Sequence, residues 1–432
     1  MRNKHAILSA VVIGVASLAV SAAEFKMYDG SRLAALVDGF DGKGNLIVFM
    51  SSGERKDIPL RDISTIFYTG RTPRFIRTGE QRFLFNTGGG ICGEVDGLAG
   101  GETVRVKSQS LGEHAIPLKF FHGVVAMSIQ GRAGRMAEDM VSEEIPTEAE
   151  IKAASKDDKI RLARRRASMT FLDQILDRKG LAYVGVLEDF TDKNLVFEHD
   201  EHTQMVAIET FKISGIRLAE AEKERAGEAD WTSADLRVGV ECRDGSYMIG
   251  QLAIVDPFQW VLKPIWDPQR EFAIPTNEIT RVDVLGGRAV YLAQLKPIVV
   301  EEKTILAPPQ PYRNNTNSQN ESLDIGGFIY HNGIGVHARS LLTYKLGGGF
   351  SSFRADVGID GRLEKNGTVV FVVKGDGKEL FRSPLVRGKP SGGGLPIEVS
   401  VQGVKELTLL VEPTDDLDQA DCANWGGVRV LR

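Results

Sequence analysis

The chain has 432 residues, 42% apolar and 26% charged, the proportions of soluble globular protein at a length that exceeds one ordinary hydrophobic core. A net charge of −5 excludes the general basic footprint by which a protein holds nucleic acid or an anionic membrane. The three cysteines, Cys92, Cys242 and Cys422, are too scattered for a metal motif or a disulfide framework, although a single Cys92–Cys242 bridge stays open.

At the start, Arg2 and Lys4 precede an apolar run from Ala6 to Ala19, and small residues follow at Ser21, Ala22 and Ala23. This is the layout of a secretory signal over residues 1–22, with cleavage expected after Ala22 or Ala23. The run is shorter than the roughly 20 residues a membrane-spanning helix needs, no cysteine stands at the cleavage point, and no later segment is long and apolar enough to span. The expected location is periplasmic or extracellular. Removing the two basic residues of the leader takes the net charge from −5 to −7.

Residues 23–131 and 169–288 carry one pattern four times, two copies in each stretch. Each copy opens with a strand and a tight turn, at Asp29-Gly30, Thr87-Gly88, Lys179-Gly180 and Asp244-Gly245. A small residue follows at a fixed offset, Ala35, Gly93, Gly185 or Gly250. Each copy closes on IPLRDISTI, IPLKFFHGV, IETFKISGI or IPTNEITRV, which align three apolar anchors. The first anchors are Ile58, Ile116, Ile208 and Ile274; the second Ile63, Phe121, Ile213 and Ile279; the third Ile66, Val124, Ile216 and Val282. Glycine at the turns supplies the positive φ that a tight hairpin demands, and the 47 glycines of the chain have no collagen-like period. Each copy therefore predicts a small curled antiparallel sheet, SH3-like or Sm-like in outline. Units this short bury little alone and are expected to pack in pairs or in a row.

Residues 132–168 form a linker whose core, from Ser142 to Ala167, lacks glycine and is rich in helix formers, so a helix or helical hairpin is expected to join the two pairs of units. Its basic cluster, Arg161, Arg164, Arg165 and Arg166, reads as a solvated helix face or a docking patch. In the third copy, the segment EHDEH from Glu198 to His202 reads as an exposed hairpin tip, since two histidines three apart fall short of a metal ligand set. Gly88-Gly89-Gly90 has no following Gly-Lys-Ser/Thr and is a turn, not a phosphate loop.

Residues 289–432 change texture again. The Pro-, Asn- and Ser-rich run from Lys303 to Ser322 supports neither a helix nor a central strand. Beyond it, short apolar alternations separated by glycine-rich turns predict five to eight strands in a β-sandwich. The blocks GIGVHARSLLTYKL (Gly333 to Leu346), FRADVGID (Phe353 to Asp360), VVFVVKGDGKELFRS (Val369 to Ser383), VKELTLLVEP (Val404 to Pro413) and DCANW (Asp421 to Trp425) resemble, in order, the signature blocks of the NPCBM/NEW2 family of carbohydrate-binding modules. The resemblance implies a galactose-binding-like jelly-roll sandwich that recognises sugar without catalysis. It carries candidate sugar contacts onto His337, Arg339, Asp360, Asn424 and Trp425. Two positions depart from the family pattern Asp-His-Ala-Asp-Trp: Cys422 stands at the histidine and Asn424 at the second aspartate. A Trp425 ring can stack on a pyranose or fill the core, and His337 can bind hydroxyls or brace a loop. Asp416, Asp418 and Asp421, with Asp415 beside them, are candidate ligands for a structural calcium ion.

The expectation is a mainly β chain: four small SH3/Sm-like antiparallel repeat units with a helical insertion, then a jelly-roll sandwich. Its expected function is that of an exported, non-catalytic protein whose sandwich binds carbohydrate while the repeats act as scaffold or meet a protein partner. The alternative is an envelope interaction protein with no sugar binding. A glycoside hydrolase is disfavoured, because the chain has no G-x-S-x-G or H-E-x-x-H motif.

Overall fold

The computed structural model describes residues 22–432 except 30, 100–101, 129–131, 144, 200–203, 220–235, 305–309, 362–366, 389–393 and 415–419. All of the expected leader but Ala22 lies outside the described residues, and so do Asp200 to His202 of the EHDEH segment. The described chain is mainly β, as its glycine use and alternations predict. No described helix is long and apolar enough to cross a membrane.

Unit 1 comprises β1 (Ala23–Met27), β2 (Arg32–Phe40), β3 (Asn45–Met50), β4 (Arg55–Pro59) and β5 (Ile63–Tyr68). Unit 2 comprises β6 (Gln81–Phe85), β7 (Gly90–Ala99), β8 (Thr103–Ser108), β9 (Gly112–Pro117) and β10 (Phe121–Ala126). Three helices follow among the described residues: α1 (Arg132–Ser142), α2 (Glu148–Ala153) and α3 (Lys156–Phe171). Unit 3 comprises β11 (Asp173–Asp177), β12 (Ala182–Phe190), β13 (Asn194–His199), β14 (Gln204–Glu209) and β15 (Ile213–Arg217). Unit 4 comprises β16 (Arg237–Cys242), β17 (Tyr247–Val255), β18 (Gln259–Pro264), β19 (Phe272–Pro275) and β20 (Ile279–Leu285).

In every unit the fourth strand runs into one 3₁₀ turn, at Leu60–Asp62, Leu118–Phe120, Thr210–Lys212 or Thr276–Glu278, and then into the fifth strand. The IPL-like segments encode this corner. Proline before the turn presets φ near −60° in units 1, 2 and 4, and Glu209 takes the same φ in unit 3. Eleven of the twelve aligned anchors are buried, and the twelfth, Ile208, is half-buried against the same core. The conserved small residue also has a steric cause. A Cβ on Gly93, Gly185 or Gly250 would lie 2.4, 2.0 or 2.5 Å from the carbonyl oxygen of Lys107, Glu198 or Lys263 on the strand that folds over it.

The units pair out of chain order. Strand β5 runs antiparallel to β20 with Ile66 opposite Val282, and β10 runs antiparallel to β15 with Val124 opposite Ile216. Unit 1 thus joins unit 4, and unit 2 joins unit 3, which corrects the expectation that the helices link two pairs of chain neighbours. The same repeat position faces itself across each junction, so each pair has a local two-fold arrangement. In both junctions the fifth strand, an otherwise open edge of its unit, is the one covered. A bridge between Gly90 of β7 and Tyr247 of β17 connects the two pairs.

Helix α1 lies across the β10–β15 junction. Its apolar residues Met136, Ala137, Met140 and Val141 pack with Val125 and Leu176. The approach is close because Gly123 and Gly215 underlie it, and a Cβ there would meet Val141 at 2.4 Å or Ala137 at 2.9 Å. Helix α2 opens on a capping box between Thr147 and Glu150, and Ser155 caps α3. Three of the four arginines of α3 find local partners: Arg161 pairs with Asp158 at 2.9 Å, Arg165 pairs with Glu143, and Arg166 donates to the Pro146 carbonyl at 2.7 Å.

The C-terminal module contains β21 (Ala289–Tyr291), β22 (Val299–Glu302), β23 (Arg313–Asn314), β24 (Leu323–Ile325), β25 (Phe328–Tyr330), β26 (Gly333–His337) and β27 (Ser340–Lys345). It continues through β28 (Ser352–Ile359), β29 (Thr368–Gly375), β30 (Lys378–Arg382), β31 (Val386–Arg387), β32 (Leu395–Ser400), β33 (Glu406–Pro413) and β34 (Cys422–Leu431). One sheet runs β23-β26-β34-β28-β32 with β21 also on β34; the other runs β22-β27-β33-β29-β30 with β31 on β29. The buried cluster that includes Val336, Tyr344, Phe353, Phe371, Leu409 and Trp425 fills the space between them.

The sandwich is joined to the repeats through a shared interior. Tyr28, Tyr247, Ile249 and Leu285 of units 1 and 4 cluster with Ala289, Tyr291 and Leu431. Beside them the buried Arg281 guanidinium lies 3.2 Å from Asp283 and 3.5 Å from Glu241 and donates to the Ile329 carbonyl. His331 stacks on Tyr247 with ring centroids 4.2 Å apart, and its Nε2 lies 3.2 Å from Glu241.

Candidate functional site

The candidate sugar contacts come from β26, the link that follows it, the residue after β28, and β34. Antiparallel pairing sets His337 opposite Cys422, Gly335 opposite Asn424 and Ile334 opposite Trp425. Successive side chains along a strand leave opposite faces. Asn424 and Cys422 therefore share the outer face with His337, whereas Trp425 faces the core with Ala423. The Trp425 ring is 1% exposed and meets Phe371 of the opposite sheet edge-on, so it takes up the packed alternative.

On the outer face Asp360, Asn424 and Asn317 form one buried polar cluster. The Asn424 side-chain amide donates to Asp360 Oδ2 at 2.9 Å and to the Asp324 carbonyl at 3.0 Å, and Asn317 donates to the same Asp360 oxygen at 3.0 Å. The Asp360 backbone N–H donates to the Cys422 carbonyl at 2.9 Å, which ties the end of β28 to the start of β34. Burying a carboxylate is costly unless donors meet it, and these amides supply them. The segment 313–321 crosses directly over β26, because Gly335 has no side chain: a Cβ there would sit 2.4 Å from Asn317 Cα. Asn315 and Asn320 turn the segment with φ of 64° and 59°, a region asparagine tolerates better than most residues.

His337 is buried, and its Nδ1 donates to the Ala338 carbonyl at 2.8 Å. The Ala338 N–H in turn donates to the Asp421 carbonyl at 3.1 Å. Arg339 is half-buried. Its backbone pairs with Lys303 in both directions, at 2.9 and 3.0 Å, and its guanidinium makes no hydrogen bond or ion pair among the described residues. The Cys422 sulfur lies 3.8 Å from Gln310 Oε1 and 4.0 Å from Gln319 Nε2, and burial pushes its thiol up from the ordinary cysteine value. A neutral thiol packed among amides is poorly placed to act as a nucleophile.

Of the candidate calcium ligands, Asp416 and Asp418, like Asp415, lie outside the described residues. Asp421 is buried, and its Oδ1 accepts the Thr368 N–H at 2.8 Å. Among the described residues no three His, Cys, Asp or Glu side chains gather in a metal-binding group. The structure thus brings Asp360 and Asn424 together beneath Asn317, seats His337 on the same face of the sheet opposite Cys422, leaves Arg339 on the link after β26 and sends Trp425 to the core. It adds Asn317, Gln310 and Gln319. Their signal was the asparagine-rich run before Ser322, which sequence reasoning read only as irregular chain.

Two antiparallel sheets closed over a Trp425–Phe371 core, with polar side chains gathered at one end of β26 and β34, define a galactose-binding-like β-sandwich. Within that class, residues 288–431, the C-terminal third of the chain, match the NPCBM/NEW2 domain. The chain is similar, at 33% identity over 109 residues, to a protein of Renibacterium salmoninarum bearing the name of an endo-alpha-N-acetylgalactosaminidase; the match covers 25% of this chain and 7% of the relative. It is 29% identical over 115 residues to alpha-1,3-galactosidase B of Akkermansia muciniphila, covering 26% and 14%. Both matches thus span a small part of those proteins. Among solved structures, a CBM51 module of a Clostridium perfringens GH95 protein in complex with methyl-galactose is 22% identical, covering 33% of this chain and 99% of that one at a TM-score of 0.30. The tandem CBM51 modules of Sp3GH98 from Streptococcus pneumoniae are 14% identical, covering 62% and 90% at a TM-score of 0.29.

Proposed function

We propose that this is an exported, non-catalytic carbohydrate-binding protein whose sandwich holds a glycan while the four β units act as a scaffold. The observation that carries the reading is the NPCBM/NEW2 match across the whole sandwich. The two relatives are named for acting on galactosaminides and galactosides, which makes galactose-type glycans the first ligand class to examine. In this reading the Arg339 guanidinium, with Gln310 and Gln319, offers donors and acceptors to sugar hydroxyls. His337, Asp360 and Asn424 hold the binding surface from beneath, and Trp425 supports it from the core. Export rests on the leader pattern of residues 1–22.

A second reading, a protein-interaction module without sugar binding, is favoured by one observation. Asp360, Asn424 and Asn317 are all buried, and both amides donate to the Asp360 carboxylate rather than facing outward. Screening the full chain on a glycan array, beside Arg339→Ala, separates the two. The first reading predicts selective binding to a galactose or N-acetylgalactosamine terminus that weakens in the variant. An array without signal, given a folded chain, leaves the interaction module.

A further inference from the structure

Helix α1 presents two faces. Met136, Ala137, Met140 and Val141 seat it on the repeats, while Arg135, Asp139 and Ser142, spaced i, i+4 and i+7, lie on the other side. That polar stripe meets the loop of the sandwich that crosses β26. The Asn320 side-chain amide donates to Asp139 Oδ1 at 3.1 Å and to Ser142 Oγ at 3.2 Å. The Arg313 guanidinium lies 2.8 Å from Asp139 and Arg135 lies 3.6 Å from Glu321, so both ends of the loop are held.

The same loop carries Asn317. Its backbone is closed on itself by Asn317 N–H to the Glu321 carbonyl at 2.9 Å and Asn320 N–H to the Asn317 carbonyl at 3.0 Å. A displacement at Asn320 is therefore passed directly to Asn317, and from there to Asp360 and Asn424.

We propose that helix α1 shapes the candidate glycan site from outside the sandwich, with Asp139 as the positioning residue for the loop that carries Asn317. This rests on the carbohydrate-binding reading of that site. The helical insertion is then more than a spacer: its docking on Gly123 and Gly215 fixes the height of its polar stripe, and the stripe fixes the loop. The site is a property of the full chain, and its affinity depends on residues about 180 positions away in sequence, as the 181-residue separation of Asp139 and Asn320 records.

The test uses the full chain with Asp139→Ala, Asp139→Asn and Asn320→Gly. Glycine keeps the positive φ of Asn320 while removing its amide, so this variant probes the contact even where Asp139→Ala folds poorly. Asp139→Asn retains an oxygen acceptor for the Asn320 amide. Two readouts are taken: hydrogen exchange of backbone amides 315–321, and affinity for methyl-galactoside. Asp139→Ala loses the Asn320 and Arg313 contacts, and Asn320→Gly loses both bonds to α1 together with the one that Thr316 Oγ1 donates to it; each is expected to speed loop exchange about tenfold and weaken methyl-galactoside binding about five- to tenfold. Asp139→Asn is expected to stay within about threefold of the parent. Parental loop exchange in both disruptive variants overturns the proposal, as does faster exchange with parental affinity. If the parent itself shows no affinity for methyl-galactoside, the carbohydrate reading fails for that ligand, while the exchange comparison still decides whether α1 holds the loop.

Discussion

The Trp425 ring meets the Phe371 ring at 89° with centroids 5.0 Å apart, so that one side chain from each sheet locks the sandwich across its middle. Phe353 adds a second edge contact at 6.3 Å. Trp425→Ala should therefore behave as a core truncation and cost about 3–5 kcal/mol in equilibrium urea unfolding. A change within about 0.5 kcal/mol, the usual range for a surface residue, would show that the ring is not packed there in solution.

The small residue of each repeat should be as sensitive as the core. Gly185→Ala places a Cβ 2.0 Å from the Glu198 carbonyl and should destabilise unit 3 by about 1–3 kcal/mol. Gly349→Ala meets nothing within 4 Å and should be neutral or stabilise by up to about 1 kcal/mol. Thermal unfolding of the two variants side by side reads the contrast. Equal melting temperatures would contradict the steric account of the repeat.

These positions also mark how far sequence reasoning reaches. The repeat frame was visible because its constraints are local: proline before a 3₁₀ corner, three anchors into one core, and a glycine where the next strand closes over. Unit pairing was not visible, because Ile66 faces Val282 across 216 residues and nothing near either one states the partner. In the sandwich, the alternation that sends Trp425 inward and Asn424 outward could be read from the strand itself, but the role of Asn317 could not. It depends on a loop crossing over Gly335 and on a helix far back in the chain. The linker appeared as one helix or a hairpin, since its composition favours helix throughout. Thr147 and Ser155 restart it as α2 and α3 by capping, and α1 begins ahead of the stretch where composition signalled helix.

The joint between repeats and sandwich should give the protein an acid limit. Burial alone would raise the Glu241 carboxyl, but His331 and Arg281 beside it outweigh this and hold it at about 2, below its ordinary value of 4.5. A carboxyl depressed in the folded state contributes stability that is fully present above its unfolded value and is lost as pH falls toward the folded one. The contribution, roughly 3 kcal/mol, should disappear between about pH 4.5 and pH 2. Urea midpoints measured across that range should fall less steeply in Glu241→Gln than in the parent. Parallel curves would remove Glu241 from the account.

The three thiols should be quiet in the native chain. Burial pushes Cys92 up to about 11 and Cys242 well above its ordinary value, and Cys422 is raised as well. With the thiolate as the reactive form, a chromogenic disulfide reagent at pH 8 should modify the native protein slowly and the urea-unfolded, reduced protein quickly at all three positions. Rapid native labelling at Cys422 alone would show that the loop over β34 opens.

The central claim, that the NPCBM/NEW2 sandwich of the full chain binds carbohydrate, is tested most directly by titration calorimetry with galactose- and N-acetylgalactosamine-terminated oligosaccharides. The account predicts a saturable signal at one site per chain for at least one of these termini, weakened by Arg339→Ala in a protein with the parental melting temperature. Absence of heat for every oligosaccharide, from a chain that melts cooperatively, would contradict it.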